Sequence, residues 1–200
     1  MSSKGSEPGK SDHAISRVVY DLPALRNRQR HVTGRSVLVL GGARSGKSRF
    51  AESLAAGFAG EKVYIATAQA GDEEMAARIA AHRGRRGPEW STVEAPVELV
   101  EALEKAAGGF VLIDCLTLWI SNLLLAGAEV APCIERLAEA LRAQAGTVVV
   151  VSNEVGLGIV PDNALARRFR DDAGLANQRL AQACDEVVLV AAGLPLKLKP

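Results

Sequence analysis

Apolar residues occur along this chain in short β-branched runs separated by longer stretches of helical period, and that alternation predicts the architecture. The first run, Val37 to Leu40, leads straight into glycines and then into a helical pattern from Ser48 that fades near Gly57 to Gly60. Lys62 to Ala68 (KVYIATA) reads as a second strand. Gln69 to Asp72 turn the chain, and Asp72 is placed to cap a helix through Glu73 to His82, with acids in its first turn as the helix dipole prefers. Gly84, Gly87 and Pro88 are expected to end that helix.

The pattern then repeats. A short strand at Ser91 to Glu94 is followed by a helix from Pro96 to about Ala107, and an apolar strand from Phe110 to Ile113 ends in Asp114. Leu116 to Ala126 and Ile134 to Ala145 read as two helices split by a Gly127 to Pro132 loop. Thr147 to Val151, with four consecutive valines, is comfortable only as a strand covered on both faces. A glycine-containing loop from Ser152 to Pro161, a long helix over Leu165 to Cys184, a strand at Glu186 to Val190 and an edge strand reaching Leu198 complete the chain. Strands alternating with helices mean a three-layer α/β sandwich on a mostly parallel sheet, whose ligand crevice lies at the carboxyl ends of the strands. That edge collects Gly41 to Ser48, Thr67 to Gln69, Asp114 and Asn153-Glu154.

Residues 1–35 lack this periodicity. They are rich in Ser, Gly, Lys and Arg and are expected to form a disordered extension, leaving 36–200 as one domain. The run Arg26, Arg28, Arg30 and Arg35 reads as a solvated tail or as a contact for an acidic partner; His13 and His31 belong to no catalytic pattern.

Composition narrows the function. With 24 basic and 23 acidic residues the net charge is +1, so no overall field holds nucleic acid or an anionic membrane, and any anion is bound locally. Cys115, Cys133 and Cys184 have no zinc or redox spacing and fit buried free thiols in a reducing compartment. No apolar run reaches the roughly 18 residues that span a bilayer, so a cytoplasmic protein is expected.

The strongest chemistry lies at Gly41-Gly42-Ala43-Arg44-Ser45-Gly46-Lys47-Ser48, which fits G-x-x-x-x-G-K-[ST] between a strand and a helix. Glycines let backbone N–H groups converge on phosphate oxygens, Lys47 reaches the outer phosphates, and Ser48 can hold Mg²⁺. Asp114, at the end of a buried strand, reads either as a Mg²⁺ ligand or as the cap of the next helix.

A P-loop and a strand-end acid leave the reaction open. His82 shares a helical stripe with Met75, Arg78 and Ile79, and Arg83, Arg85 and Arg86 follow at once. A neutral imidazole among guanidinium groups suits attack on phosphorus, with the arginines lowering its pKa and neutralising the oxygens; a histidine idle at a helix end is the competing reading.

Six segments in order, GGARSGKSRFAE, YIATAQ, DEEMAARIAAHR, WSTVEAP, the NEVG-x-GIVP loop and LARRFRDDAGLANQRLA, make residues 36–199 resemble the bifunctional adenosylcobinamide kinase / adenosylcobinamide-phosphate guanylyltransferase family. The resemblance implies a P-loop NTPase, RecA-like fold and two steps. Adenosylcobinamide is first phosphorylated with ATP or GTP. GMP from GTP is then carried on a histidine, with release of pyrophosphate, to adenosylcobinamide phosphate. The family histidine falls on His82, and Lys47 on the P-loop lysine. Gly41 to Ser48, Thr67, Ala68, Gln69, Arg83, Gly84, Arg85, Arg86, Glu94 and Asp114 match nucleotide-binding positions; Ser48 and Asp114 would hold Mg²⁺, and a homotrimer is implied.

Two departures stand out. Asp114 occupies a position that carries Glu in some members, and Ala81 stands where some relatives have a second histidine, so His82 is left as the one candidate nucleophile. Three other readings are compatible with the P-loop: a guanylyltransferase without kinase activity, a nucleotide-gated regulatory module, and a RecA-type ATPase. The last is disfavoured by near-zero net charge and 4% aromatic content. No N-K-x-D guanine signature points to a GTPase switch.

Overall fold

The computed structural model describes residues 34–69, 73, 80, 84, 86–106 and 108–200. The chain divides by its contacts into Met1–His31, outside the described residues, and Val32–Pro200. The elements in order are β1 (Arg35–Gly41), α1 (Lys47–Ser53), β2 (Lys62–Ala66), β3 (Trp90–Glu94), α2 (Leu99–Lys105), β4 (Phe110–Asp114), α3 (Leu116–Leu125), α4 (Val130–Ala143), β5 (Thr147–Asn153), α5 (Ala164–Ala183), β6 (Glu186–Ala191) and β7 (Leu194–Lys199).

One seven-stranded sheet runs β3-β2-β4-β5-β1-β6-β7. Every neighbouring pair is parallel except β6 and β7, which form an antiparallel hairpin. The parallel strands alternate between two covered faces, as a period of two requires. Leu38, Val63, Ile65, Val111, Ile113, Val148 and Val150 pack under the helices of one layer, with Leu99, Leu116, Trp119, Leu137 and Leu180. Val37, Val39, Tyr64, Leu112, Val149 and Val151 face the other way, against Ala51 and Ala55, with Phe50 and Leu54 beside them. The valine run is therefore a central strand buried on both faces, and the expected three-layer α/β sandwich with a mostly parallel sheet is the fold.

Several boundaries differ from the sequence reading. α1 is one residue longer at its start, since Lys47 is already helical behind the left-handed Gly46, and it stops at Ser53 because the chain turns through residues 54–57. α2 begins at Leu99 rather than Pro96: Pro96 and Val97 form a bend, and the Val97 carbonyl accepts the Trp119 indole N–H at 2.7 Å. α4 starts at Val130, so Pro132 sits in its first turn, where a helix has no use for the missing N–H. Reading proline as a breaker hid that turn. Glu73, Ala80 and Gly84 are helical and Arg86 lies in a bend; His82, Arg83, Arg85 and the remainder of that stretch lie outside the described residues. Arg35, placed by the sequence in the extension, opens β1 and pairs with Glu186 at 2.8 Å.

A candidate nucleotide site at the strand ends

The topology decides which residues meet. Because β5 lies between β1 and β4, the P-loop strand and the acidic strand are one strand apart, about 10 Å at ordinary strand spacing. Gly41 is in register with Asn153, and Asp114 with both Val151 and Ala66. Gly41, Ala66, Asp114 and Asn153 therefore reach the same edge of the sheet.

Gly41 opens the phosphate loop at a crowded point: a Cβ there would stand 2.4 Å from Ser45 Oγ and 2.6 Å from the Val190 carbonyl. Gly42, Ala43 and Arg44 are exposed, and Ser45 and Lys47 are buried. Arg44 (φ 55°) and Gly46 (φ 95°) both have left-handed backbone, which turns the loop back on itself. Lys47 Nζ donates to the Gly42 carbonyl at 3.1 Å, so the ammonium is held inside the loop. Ser48 is half-buried beside it. This is the shape and polarity of a phosphate cradle.

Asp114 lies beside Tyr64, whose ring carries the Arg86 guanidinium at 3.5 Å from its centroid. Burial first, then the neighbouring Asp114 charge, push the Tyr64 pKa up, so the phenol stays protonated beside that carboxylate. Asp114 Oδ2 is buried and lacks a hydrogen-bond partner among the described residues. A carboxylate oxygen left open at a strand end, one strand from Ser48, fits a divalent cation between them.

Thr67 is fully buried, and its hydroxyl accepts from Cys115 N–H and donates to the Cys115 carbonyl, both at 2.8 Å. The hydroxyl is thus engaged in fixing the chain just after Asp114, across a cis Asp114–Cys115 peptide. Ala68 is half-buried, Gln69 is exposed, and Glu94 stands exposed at the end of β3. Asn122, which the sequence reading passed over, donates to the Thr67 and Pro96 carbonyls at 2.9 Å each. A lone amide in the apolar helix LTLWISNLLL was the available signal. Asn177 was missed likewise: buried on α5, it accepts from Ser152 Oγ at 2.7 Å and donates to the Asn153 carbonyl at 3.2 Å.

A cleft of about 400 Å³ lined by Ser36, Arg142, Gln144 and Asp185 opens at the opposite end of the strands. It has none of the phosphate-loop groups. No group of three or more His, Cys, Asp or Glu side chains is arranged for a metal among the described residues, and no described helix is long and apolar enough to cross a membrane.

Comparison with known proteins shows the family. The bifunctional adenosylcobalamin biosynthesis protein CobP of Pseudomonas aeruginosa is 51% identical over 166 residues, covering 81% of this chain and 96% of that protein. The bifunctional adenosylcobalamin biosynthesis protein CobU of Salmonella typhimurium is 46% identical over 180 residues, covering 82% of this chain and 99% of that protein. A solved structure from Pyrococcus horikoshii OT3 shares the fold, with TM-score 0.51 and 8% identity over 84% of this chain and 88% of that one. Residues 37–198 match the profile of the family described as cobinamide kinase / cobinamide phosphate guanyltransferase, and with two such relatives aligned over nearly their whole length, the chain belongs to that family.

Proposed function

We propose that this protein phosphorylates adenosylcobinamide with ATP or GTP and then joins GMP from GTP to adenosylcobinamide phosphate, giving adenosylcobinamide-GDP and pyrophosphate. The observation that carries the reading is the phosphate cradle at Gly41 to Ser48, one strand from the open carboxylate oxygen of Asp114, in a chain of this family.

In the first step the P-loop holds the nucleoside triphosphate and Lys47 steadies its outer phosphates; the acceptor hydroxyl oxygen bonds the γ-phosphorus and gives up its proton to solvent, the bond to the β–γ bridging oxygen breaks, and the nucleoside diphosphate leaves. In the second, a ring nitrogen of neutral His82 attacks the α-phosphorus of GTP. A P–N bond forms, the bond to the bridging oxygen breaks, and pyrophosphate leaves against the P-loop N–H groups and Lys47. An oxygen of the acceptor's phosphate then displaces the histidine, forming a P–O bond and regenerating the imidazole. Thr67, Ala68, Gln69, Arg83, Gly84, Arg85, Arg86 and Glu94 complete the nucleotide pocket in this reading. Ser48 and Asp114 would hold Mg²⁺, which supplies neutralisation of phosphate charge when bound. The active unit is a homotrimer in the cytoplasm, formed by the domain that β1 opens at Arg35, with the residues before it an extension.

Incubation with Mg²⁺, GTP and adenosylcobinamide, followed by mass spectrometry of the corrinoids, tests the reading. Appearance of the phosphate and then the GDP adduct is expected. Conversion of supplied adenosylcobinamide phosphate but not of adenosylcobinamide would reduce the protein to a transferase, and no conversion of either would reject the assignment.

A further inference from the structure

Between Val155 and Pro161 the β5–α5 connection (VGLGIVP) carries no charged residue. Its central side chains stand in solvent, with Leu157 91% exposed, Ile159 97% and Val160 62%, and Leu165, in the first turn of α5, is 55% exposed. Scattered exposed aliphatics are ordinary, but four within nine residues on one loop form a patch of the kind that marks a binding surface.

The segment is also fastened at both ends. At its entry the Glu154 N–H donates to the Gly41 carbonyl at 3.1 Å, and the Glu154 carboxylate accepts from Gly156 N–H at 2.6 Å. A Cβ on Gly156 would come within 2.9 Å of that carboxylate oxygen. At its exit Arg167 Nη1 donates to the Pro161 and Asp162 carbonyls at 3.0 and 2.7 Å, and Asn163 caps α5 by accepting from Ala166 N–H at 2.7 Å. These bonds fix the two ends of the apolar segment, which starts two residues beyond Asn153, the partner of Gly41 in the sheet.

Size and place select the occupant. Each exposed aliphatic side chain offers roughly 60–120 Å² of apolar surface, so the four offer roughly 250–500 Å², whereas a stable protein interface buries about 800 Å² on each partner. The patch is ligand-sized, and it adjoins the phosphate loop. Resting on the function proposed above, we propose that Leu157, Ile159 and Val160, with Leu165 at the rim, are the platform on which the corrinoid acceptor lies. This ligand is a broad macrocycle edged with methyl and amide groups. Docked here, its ring is held by apolar contact while the arm bearing the reacting oxygen extends to the P-loop.

The test uses the full-length protein with Leu157→Ser, Ile159→Ser, Val160→Ser, their triple combination, and Ile159→Leu as the conservative variant. Since these side chains are exposed, melting temperatures should match wild type. The expected result is a KM for adenosylcobinamide raised about tenfold or more in the triple variant, with the KM for GTP and covalent labelling by α-labelled GTP unchanged, and Ile159→Leu within about twofold of wild type. An unchanged acceptor KM in the triple variant would overturn the platform while leaving wild-type turnover intact. A KM rise that tracks dissociation of an oligomer in sedimentation would overturn it too, assigning the loop to contact between copies. Wild-type protein that converts no corrinoid would instead reject the activity, and the platform with it.

Discussion

Gly193, at the tip of the β6–β7 hairpin, donates its backbone N–H to the Ser45 carbonyl at 2.8 Å, so the C-terminal hairpin holds the phosphate loop from behind. Ala192 (φ 52°) and Gly193 (φ 80°) form a two-residue turn with both residues left-handed, the geometry that lets β7 fold straight back on β6. A Cβ on Gly46 would stand 3.3 Å from Gly193 Cα.

Gly46→Ala is therefore expected to weaken nucleotide binding at least tenfold. The substitution forces an L side chain into left-handed backbone, at about 1–2 kcal/mol, and presses on the hairpin. Titration with a fluorescent GTP analogue checks this; wild-type affinity in the variant would show that the loop tolerates another path.

Asp114→Asn removes the charge while keeping the size of the side chain. The Mg²⁺ concentration giving half-maximal activity should rise about tenfold or more, with little change in melting temperature. Asp114→Glu should retain part of the activity. An unaltered Mg²⁺ titration in Asp114→Asn would remove this carboxylate from the metal site.

Asn177→Ala deletes one partner from each of two hydrogen bonds, to Ser152 and Asn153, inside the buried layer. A loss of about 1–3 kcal/mol is expected in urea denaturation. Since the same amide supports the end of β5, the acceptor KM should rise as well. Stability equal to wild type would mean that the network contributes nothing net.

The thiols give a pH-dependent test. Burial pushes the Cys115 thiol up, and burial followed by the adjacent Asp185 charge, against a Ser36 hydrogen bond that lowers it, takes Cys184 to about 12. Both should resist alkylation at pH 8 in the folded protein, and half-buried Cys133 should react first. A thiol whose folded pKa is raised contributes stability that is fully present below its unfolded value, about 8.5, and that is lost as pH rises toward about 12. Melting temperature should accordingly fall less steeply above pH 9 in Cys184→Ala than in wild type. Equal slopes would contradict the assignment.

Local chemistry made much of this legible in the sequence. Four consecutive valines require cover on both faces, and β5 is found in the middle of the sheet; the G-x-x-x-x-G-K-S spacing between a strand and a helix reads as a phosphate loop, and the loop is found between β1 and α1. What stayed hidden depends on contacts between distant segments. Thr67 reads as one more polar residue at a strand exit until the fold brings Cys115 against its hydroxyl, and Arg86 reads as one of several cations until Tyr64 lies beneath it. Pro132 misled because its helical first turn looks like a break when only composition is visible. Residues 1–33 and His82 itself, both read from sequence, lie outside the described residues.

The central claim is that GMP travels on His82. Protein incubated with Mg²⁺ and GTP labelled on the α-phosphate should acquire a covalent label that acid removes and alkali spares, as a phosphorus–nitrogen bond requires, and His82→Ala should acquire none. Absence of that label from wild type, or equal labelling of His82→Ala, would contradict the account.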